Sequence, residues 1–265
     1  MSRKKSQPVR ALPSATIVVI RDADRAPEIL LVKRKAGDAY GQSYTFPGGV
    51  VDADESNAHR LCDGRTADEA NAILRVSHGG LDYYSAAIRE LFEETSILLA
   101  RDPSGNWPKY STELQELRTK VDRAELAWSD FLQEQGLQIA CDALHYFAHW
   151  ETPLQLPKRW STRFFVAVAP PGQEARHDGT EVTDSRWLPG AAALACGRDG
   201  SMKLPHPTIQ TLQQLAGFDS VDTLLEWARS QAREGVVRIR PALRLQDGET
   251  RIMMPGDPDY PDNEL

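Results

Sequence analysis

The chain has no long apolar stretch and little cysteine. None of its apolar runs approaches the roughly 18 residues that a membrane-spanning helix needs. The basic N-terminus is not followed by an apolar region, so we expect no secretory signal. Cys62, Cys141 and Cys196 are odd in number and lack CxxC spacing, and the six histidines are scattered. This pattern argues against a disulfide framework or a zinc site and favours the reducing cytoplasm.

Positive charge is also in short supply. The chain has 31 Lys and Arg against 38 Asp and Glu, and a net charge of -7. That balance argues against an extended surface for nucleic acid or for an anionic membrane. A content of 41% hydrophobic and 26% charged residues is typical of a globular protein, and 265 residues can bury a substantial core.

Strand and helix patterns are mixed along the chain without regular βα alternation, which predicts an α+β fold. A hairpin is expected from Ala15–Ile20 and Ile29–Arg34, and a capping box at Thr66–Glu69 predicts a helix. We expect a disordered tail (1–12), one domain (13–246) with an insert (56–84), and an irregular C-terminal tail (247–265). Further helices are predicted within 111–135, which breaks near Asp122, and at 189–195, 208–215 and 221–233. Further strands are predicted at 97–100, 144–150, 162–168, 181–188 and 236–239.

The stretch Arg89–Ile97 predicts the most informative helix, with Asp82 as its expected N-cap. Glu90, Glu93 and Glu94 stand at i, i+3 and i+4, so a helix places the three carboxylates on one face. Three anions one turn apart repel each other unless a cation lies between them, and Mg2+ favours oxygen ligands. The alternative is a solvated acidic face.

The pattern upstream of this helix decides between these interpretations. Phe46-Pro47-Gly48-Gly49, then Glu55, then Arg89-Glu90-Leu91-x-Glu93-Glu94 and Ile97 resemble the Nudix hydrolase signature GX5EX7REUXEEXGU, in which U is a bulky aliphatic residue. Two departures are present. Residues 56–88 stand where the signature has only seven residues, and Ser96 replaces its second glycine, a position suited to a left-handed backbone.

A signature split in this way resembles the branch named after nucleoside diphosphate-linked moiety X motif nineteen, which is associated with coenzyme A diphosphatase activity. The resemblance implies the Nudix α/β/α sandwich, with a mixed sheet, an insertion inside the Nudix box and extra C-terminal helices. Other stretches that resemble this branch are Trp150–Pro153, Arg159–Phe165, Trp187–Pro189 and Leu204–Thr208.

The resemblance also implies hydrolysis of a phosphoanhydride with Mg2+ or Mn2+ as cofactor. It assigns Glu90, Glu93 and Glu94 as metal ligands, with the Gly49 carbonyl and Glu55 as further candidates. Arg89 would pair with Glu55 or Glu93 and orient the carboxylates, although a simple surface pair with Glu93 is the alternative. For the general base we choose Glu90 first and Glu181 second, and an ordinary exposed role for Glu181 stays open.

Substrate contacts are expected from the hairpin end, the glycine loop and a later strand. Leu30-Leu31-x-x-Arg34 resembles part of the coenzyme A-type Nudix motif, but that motif's second arginine has no counterpart here. A solvated charge cluster is the alternative for the hairpin end, and a paired core arginine is the alternative for Arg163. The candidate substrate contacts are Lys33, Arg34, Phe46, Gly48 and Arg163, with Tyr40, Tyr44 and Trp160 as candidate stacking residues.

The preferred substrate is therefore coenzyme A or an acyl derivative, cleaved to phosphopantetheine and 3',5'-ADP. The alternatives are an ADP-ribose, NADH or nucleotide-sugar pyrophosphatase, and a Nudix fold that binds a ligand without turnover. We expect the insert to influence substrate choice. The sequence predicts a small nucleotide as partner, with no nucleic acid and no membrane, and leaves a homodimer open.

Overall fold

A computed structural model describes residues 8–37, 41–177, 179–246 and 248–261 of the chain. The strands are β1 (Leu12–Arg21), β2 (Glu28–Arg34), β3 (Tyr44–Thr45), β4 (Gly48–Val50), β5 (Cys62–Asp63), β6 (Ala100–Arg101), β7 (Gln138–Ala140), β8 (His145–Glu151), β9 (Trp160–Val168), β10 (Val182–Pro189), β11 (Arg238–Ile239), β12 (Ala242–Gln246) and β13 (Glu249–Met253). The α-helices are α1 (Ala67–Leu74), α2 (Gly80–Thr95), α3 (Thr112–Asp122), α4 (Trp128–Glu134), α5 (Gly190–Arg198), α6 (His206–Leu215) and α7 (Val221–Glu234). Short 3-10 helices span Glu55–Leu61 and Cys141–Ala143.

One mixed sheet forms the middle layer, in the order β10-β2-β1-β9-β8-β11, with β3 beside β2 and β4 beside β1. The central pair, β1 and β9, is parallel along nine residue pairs from Leu12↔Trp160 to Ile20↔Val168. Antiparallel pairing joins β1 to β2 and β8 to β9. The α+β class and the mixed sheet predicted from the sequence are confirmed.

Two cores lie on opposite faces of this sheet because side chains alternate along each strand. Ile17 and Val19 of β1 pack with the residues of α2 and α4, whereas Val18 and Ile20 pack with those of α6 and α7. All four side chains are fully buried. The architecture is therefore a three-layer sandwich of helices, sheet and helices.

Several local predictions are confirmed, and one helix start was wrong. The hairpin, the Thr66 capping box with Glu69, and the break after Asp122 are all present. The central helix begins at Gly80, with Gly79 in the left-handed conformation at its N-cap, rather than at Asp82. Asp82 instead lies in the first turn, with its Oδ1 2.6 Å from His59 Nε2 of the insert.

The two ends of the domain are more regular than the sequence suggested. Strand β1 starts at Leu12, and Arg159 Nη1 donates a 2.6 Å hydrogen bond to the carbonyl of Val9. At the other end, β12 and β13 form an antiparallel hairpin across the predicted boundary at 246, so the segment from 248 to 253 is not irregular. Residues 1–7 and 262–265 lie outside the described residues, and the domain limits stay a prediction. No described helix combines the length and apolarity that crossing a bilayer requires.

Ser96 ends α2 where the signature has glycine, and its backbone has φ 65° and ψ 2°. This position therefore does require the left-handed conformation, which costs a non-glycine residue about 1–2 kcal/mol. The side chain offsets part of that cost. Its Oγ donates to the Arg176 carbonyl at 3.0 Å and lies 3.0 Å from the Gln115 side-chain amide.

This balance predicts different outcomes for two substitutions at Ser96. Ser96→Ala keeps the strained backbone and loses the hydrogen bonds, so we expect the free energy of unfolding to fall by about 1 kcal/mol. Ser96→Gly loses the same bonds but relieves the strain, so its stability should stay near that of the wild type. Urea unfolding of both variants measures the difference. An alanine variant at least as stable as the glycine variant would contradict the assignment.

Candidate active site

The loop Phe46–Gly49 lies against β1 on one side and α2 on the other. Gly48 has φ +149°, and a Cβ there would lie 2.3 Å from the Ala15 carbonyl oxygen. A Cβ on Gly49 would lie 2.3 Å from Glu90 Oε1. Both positions therefore require glycine, because β1 and the Glu90 carboxylate occupy the space of a side chain.

The Arg89 side chain joins the two halves of the split pattern. Its Nε donates to Glu55 Oε1 at 2.8 Å, across 33 intervening residues, and its Nη1 donates to Glu93 Oε2 at 2.8 Å. Nη1 also lies 3.1 Å from Glu90 Oε1, and Nη2 lies 3.0 Å from Asp52 Oδ2. One buried guanidinium thus serves four carboxylates. This is not a simple surface pair.

Hydrogen bonds from residues that the sequence did not single out fix the position of Glu55. Its other carboxylate oxygen accepts a hydrogen bond from Ser85 Oγ, which in turn accepts one from Trp128 Nε1 at 3.1 Å. Glu55 is 2% exposed, so it orients Arg89 from the interior of the protein. Ser85 stands one helical turn before Arg89, and this i, i+4 spacing is the signal that would have identified it.

Glu94 lies on the other side of the glycine loop and pairs with Arg34. Arg34 Nη1 is 2.7 Å from Glu94 Oε1, and Arg34 Nη2 donates to the Gly48 carbonyl at 2.5 Å. No described donor meets Glu94 Oε1 with hydrogen-bond geometry, so this contact is an ion pair rather than a directed bond. The Gly48 N–H donates to Glu94 Oε2 at 3.3 Å, which ties the helix to the loop.

Burial raises the pKa of the four glutamates that form the carboxylate cluster, Glu55, Glu90, Glu93 and Glu94. Desolvation raises the pKa of Glu93 to about 8 against the lowering effect of Arg89, and it raises that of Glu94 to about 8 against Arg34. The pKa of Glu90 is raised by the same cause, and so is that of Glu55. Burial alone would lower the pKa of Arg89, but Glu90, Glu93 and Glu55 outweigh it and raise it. The cluster is short of positive charge.

A divalent cation of the Mg2+ type fits this donor set. The site offers carboxylate oxygens and backbone carbonyls, the ligands that hard cations prefer, and an added positive charge would favour the ionised forms. The acids are directed at Arg89 and Arg34, and among the described residues no group of three His, Cys, Asp or Glu is already arranged around a metal position. The Gly49 carbonyl accepts a 2.7 Å hydrogen bond from Ser14 Oγ, which leaves one lone pair for a further ligand.

A cavity of about 840 Å³ opens beside the cluster. Glu90, Arg34 and the glycines of the loop line one part of it. Aromatic and apolar side chains line another part, and they include Trp150, Trp160, Phe164, Leu243 and Ile252. Leu243 and Ile252 belong to the C-terminal hairpin, whose second strand lies in the tail that we had expected to be irregular. No short-range pattern in the sequence connects this hairpin to the loop at 46–49.

The predicted substrate residues fall into two groups. Phe46, Gly48, Arg34 and Trp160 line the cavity. Arg163 does not, because it lies on the opposite face of β9, with its Cζ 4.2 Å from the centre of the Tyr83 ring. Lys33 also lies outside the lining, with its Nζ 5.8 Å from the centre of the Tyr44 ring.

The remaining candidates are also distributed unevenly. Tyr44 donates its hydroxyl to Asp184 at 2.5 Å instead of facing the cavity, and Tyr40 lies outside the described residues. The described lining contains no residue of the insert 56–84, which differs from the expected influence on substrate choice. Glu181 does line the cavity. Its Oε2 lies 3.9 Å from Arg34 Nη1, and its side chain is 64% exposed.

The raised carboxyl pKa values predict how stability depends on pH without metal. Glu93 has a pKa of about 8 when folded against 4.5 as its ordinary value, so the folded state binds more protons between these limits. Unfolding free energy should therefore be highest near pH 5 and fall as the pH rises towards 8. Glu93→Gln removes the titrating group and should flatten this slope, since each unit of pKa difference corresponds to about 1.4 kcal/mol.

Chemical denaturation in a chelating buffer at several pH values checks this expectation. Glu116→Gln is the control, because Glu116 is exposed on α3. A wild-type stability that rises between pH 5 and 8 would contradict the burial of charge in the cluster.

Comparisons with known proteins point to one family. Residues 65–215, more than half of the chain, match the family model of the NUDT19 Nudix domain. The protein named putative nudix hydrolase 7 from Caenorhabditis elegans is 25% identical over 189 residues, which cover 71% of this chain and 55% of that protein. The chain therefore spans about half the length of this curated relative.

A solved structure extends the match to the fold. The crystal structure of a NUDIX hydrolase from Alicyclobacillus acidocaldarius has a TM-score of 0.66 and 25% identity, and the match covers 82% of this chain and 96% of that one. The match of the family model to residues 65–215 includes α2 with its three glutamates. The loop at 46–49 and Glu55 precede the matched residues, and the fold of this chain places them against α2. The chain belongs to the NUDT19 Nudix domain family.

Proposed function

We propose that the protein hydrolyses the pyrophosphate of a nucleoside diphosphate linked to a second moiety X, with Mg2+ or Mn2+ as cofactor. The observation that carries this proposal is the position of the carboxylate cluster beside a cavity of about 840 Å³. A pyrophosphate placed beside Glu90 would leave the two halves of the substrate to occupy the rest of that cavity. Nothing in this arrangement requires a nucleic acid or a membrane, and we place the reaction in the cytoplasm.

Glu90, Glu93 and Glu94 would hold the metal, with the Gly49 carbonyl as a further ligand. A bound divalent cation supplies charge neutralisation at the phosphate oxygens and lowers the pKa of a coordinated water. Arg89 keeps the glutamates in place by pairing with Glu55 behind them and Glu93 beside them. This is the positioning role expected of a residue outside the immediate ligand set.

Two carboxylates are candidates for the general base. Glu90 lines the cavity and packs against Gly49, so it lies where the pyrophosphate would bind. Glu181 lies at the exposed side of the same cavity and is within 3.9 Å of Arg34. A raised carboxyl pKa suits proton abstraction near neutral pH, and burial raises that of Glu90. We therefore keep Glu90 as the first choice.

Coenzyme A or an acyl derivative is our preferred substrate. The cavity has an apolar portion that a pantetheine arm would fill, and Arg34 stands beside the loop that would receive the phosphates. ADP-ribose, NADH or a nucleotide sugar would place a polar group against the same apolar wall. A ligand-binding protein without turnover would have no use for the buried, mutually repelling glutamates.

Glu93→Gln tests the catalytic proposal. The amide keeps the size of the side chain but removes a metal ligand, so turnover should fall by about 100-fold or more while the circular dichroism spectrum stays unchanged. Product formation with excess Mg2+ or Mn2+ is the measurement, and Glu116→Gln on α3 is the matched control. Activity at the wild-type level in Glu93→Gln would reduce the helix to a charged face.

The C-terminal hairpin tests the choice of substrate. Ile252→Ala removes a side chain that lines the apolar wall, so KM for coenzyme A should rise roughly tenfold with little change in kcat. Leu245→Ala is the matched control, because Leu245 belongs to the same hairpin, is 75% exposed and does not line the cavity. A substrate panel of coenzyme A, ADP-ribose and NADH accompanies both variants. A higher kcat/KM for ADP-ribose than for coenzyme A would overturn the preference.

A further inference from the structure

A second cavity, of about 200 Å³, lies apart from the catalytic cluster. The insert contributes Arg65 to it, α2 contributes Tyr84, β8 contributes His145, and α7 contributes Arg229 and Arg233. It therefore lies where the insert meets the C-terminal helix, and none of the proposed catalytic residues lines it.

The three arginines bring an excess of positive charge to this cavity. Within the described part of the chain none of them forms an ion pair, in a protein whose net charge is -7. Two acidic residues interact electrostatically with side chains of the lining, but both are engaged elsewhere. Glu69 accepts from the Thr66 N–H at 2.8 Å, and Asp142 pairs with Arg101.

Two buried polar atoms of the lining lack a hydrogen-bond partner among the described residues. The Tyr84 side chain is fully buried, and its hydroxyl is unpaired. Arg65 Nε is likewise buried and unpaired, and Arg65 Cζ lies 5.1 Å from the centre of the Tyr84 ring. Buried polar atoms without a partner are costly, so both atoms point to an acceptor that a bound ligand would supply.

His145 contacts Arg229 and adds no positive charge to the cavity. Its Nε2 lies 3.4 Å from Arg229 Nη2. Burial, together with Arg229 and Arg65, lowers the pKa of His145 to about 4, so the imidazole is neutral near pH 7. The cavity therefore presents guanidinium groups and a phenol as donors, and its described lining contains no acidic residue.

We propose that this cavity binds a phosphate-type oxyanion, either inorganic phosphate or the terminal group of a phosphomonoester. A tetrahedral dianion offers several acceptor oxygens to donors that approach from three elements, and arginine pairs with phosphate by two hydrogen bonds. A monocarboxylate has one charge and two oxygens for the same donors. The bound anion links Arg65 of the insert to Arg229 and Arg233 of α7. It stabilises the folded state because it binds that state and not the unfolded chain.

Inorganic phosphate is the probe for the test, with the full chain in a chelating buffer so that no divalent cation occupies the catalytic cluster. Phosphate should raise the thermal midpoint saturably, and isothermal titration should give one site. Sodium chloride at matched ionic strength should not reproduce the effect. Methyl phosphate tests whether a phosphomonoester binds as well, and acetate tests whether a carboxylate suffices.

Tyr84→Phe and Arg229→Gln should each weaken phosphate binding about tenfold or more. Tyr84→Phe keeps the ring in the core and removes only an unpaired hydroxyl, so this variant should fold. Arg198→Gln, an exposed residue on α5, is the matched control, and Arg34→Gln tests whether binding occurs at the catalytic cluster instead. The proposal fails if phosphate binding is absent or unsaturable. It also fails if Tyr84→Phe and Arg229→Gln bind like the wild type, or if Arg34→Gln alone abolishes binding.

Discussion

The arrangement of the site depends on one guanidinium, that of Arg89. It lies among Asp52, Glu55, Glu90 and Glu93, each within 3.1 Å. Removing one partner of a buried ion pair leaves an uncompensated charge, and here a single cation compensates several anions at once. Arg89 lowers the pKa of Glu93, but desolvation of the buried carboxyl outweighs this effect, and the neighbouring Glu90 raises the pKa further. The remaining negative charge is what makes a divalent cation a suitable occupant.

The same interaction explains how the chain tolerates an insert inside its signature. The entropic cost of closing a loop grows only with the logarithm of its length, so a longer connection adds little once its ends are fixed. The ends are fixed here by the Glu55–Arg89 contact and by Ser85 behind it. The insert also adds buried side chains to the core, including Ala70 and Leu74. It therefore acts as part of the domain, and removing it would expose apolar surface.

Local patterns predicted the elements of this fold well, because hydrophobic period and capping act over a few residues. The capping box at Thr66 and the spacing of Glu90, Glu93 and Glu94 are examples. The start of α2 was misjudged because Gly79 supplies a left-handed N-cap, while Asp82 pairs with the insert residue His59. Glycine caps carry no side-chain signal that would distinguish them from a turn.

Contacts in the site between residues far apart in sequence could not be predicted from such local patterns. Side chains alternate along a strand, so neighbouring residues of β9 lie on opposite faces of the sheet. Thr162 and Phe164 line the cavity, whereas Arg163 packs against Tyr83. Which face each residue takes follows from pairing with strands far away in sequence. The hairpin that supplies Leu243 and Ile252 shows the same limit, since its position depends on packing and not on its own composition.

The family model matches only some of the segments that line the cavity. The match over 65–215 includes the helix with the glutamates and the strand with Phe164, but neither the loop at 46–49 nor the C-terminal hairpin. In the function we propose, chemistry at the pyrophosphate would depend on the first group of residues, since they hold the charge. In the function we propose, discrimination between forms of X would depend on side chains such as Ile252, which line the cavity away from the glutamates. Membership of the family therefore supports the reaction type more strongly than the identity of X, and the apolar wall is what favours coenzyme A.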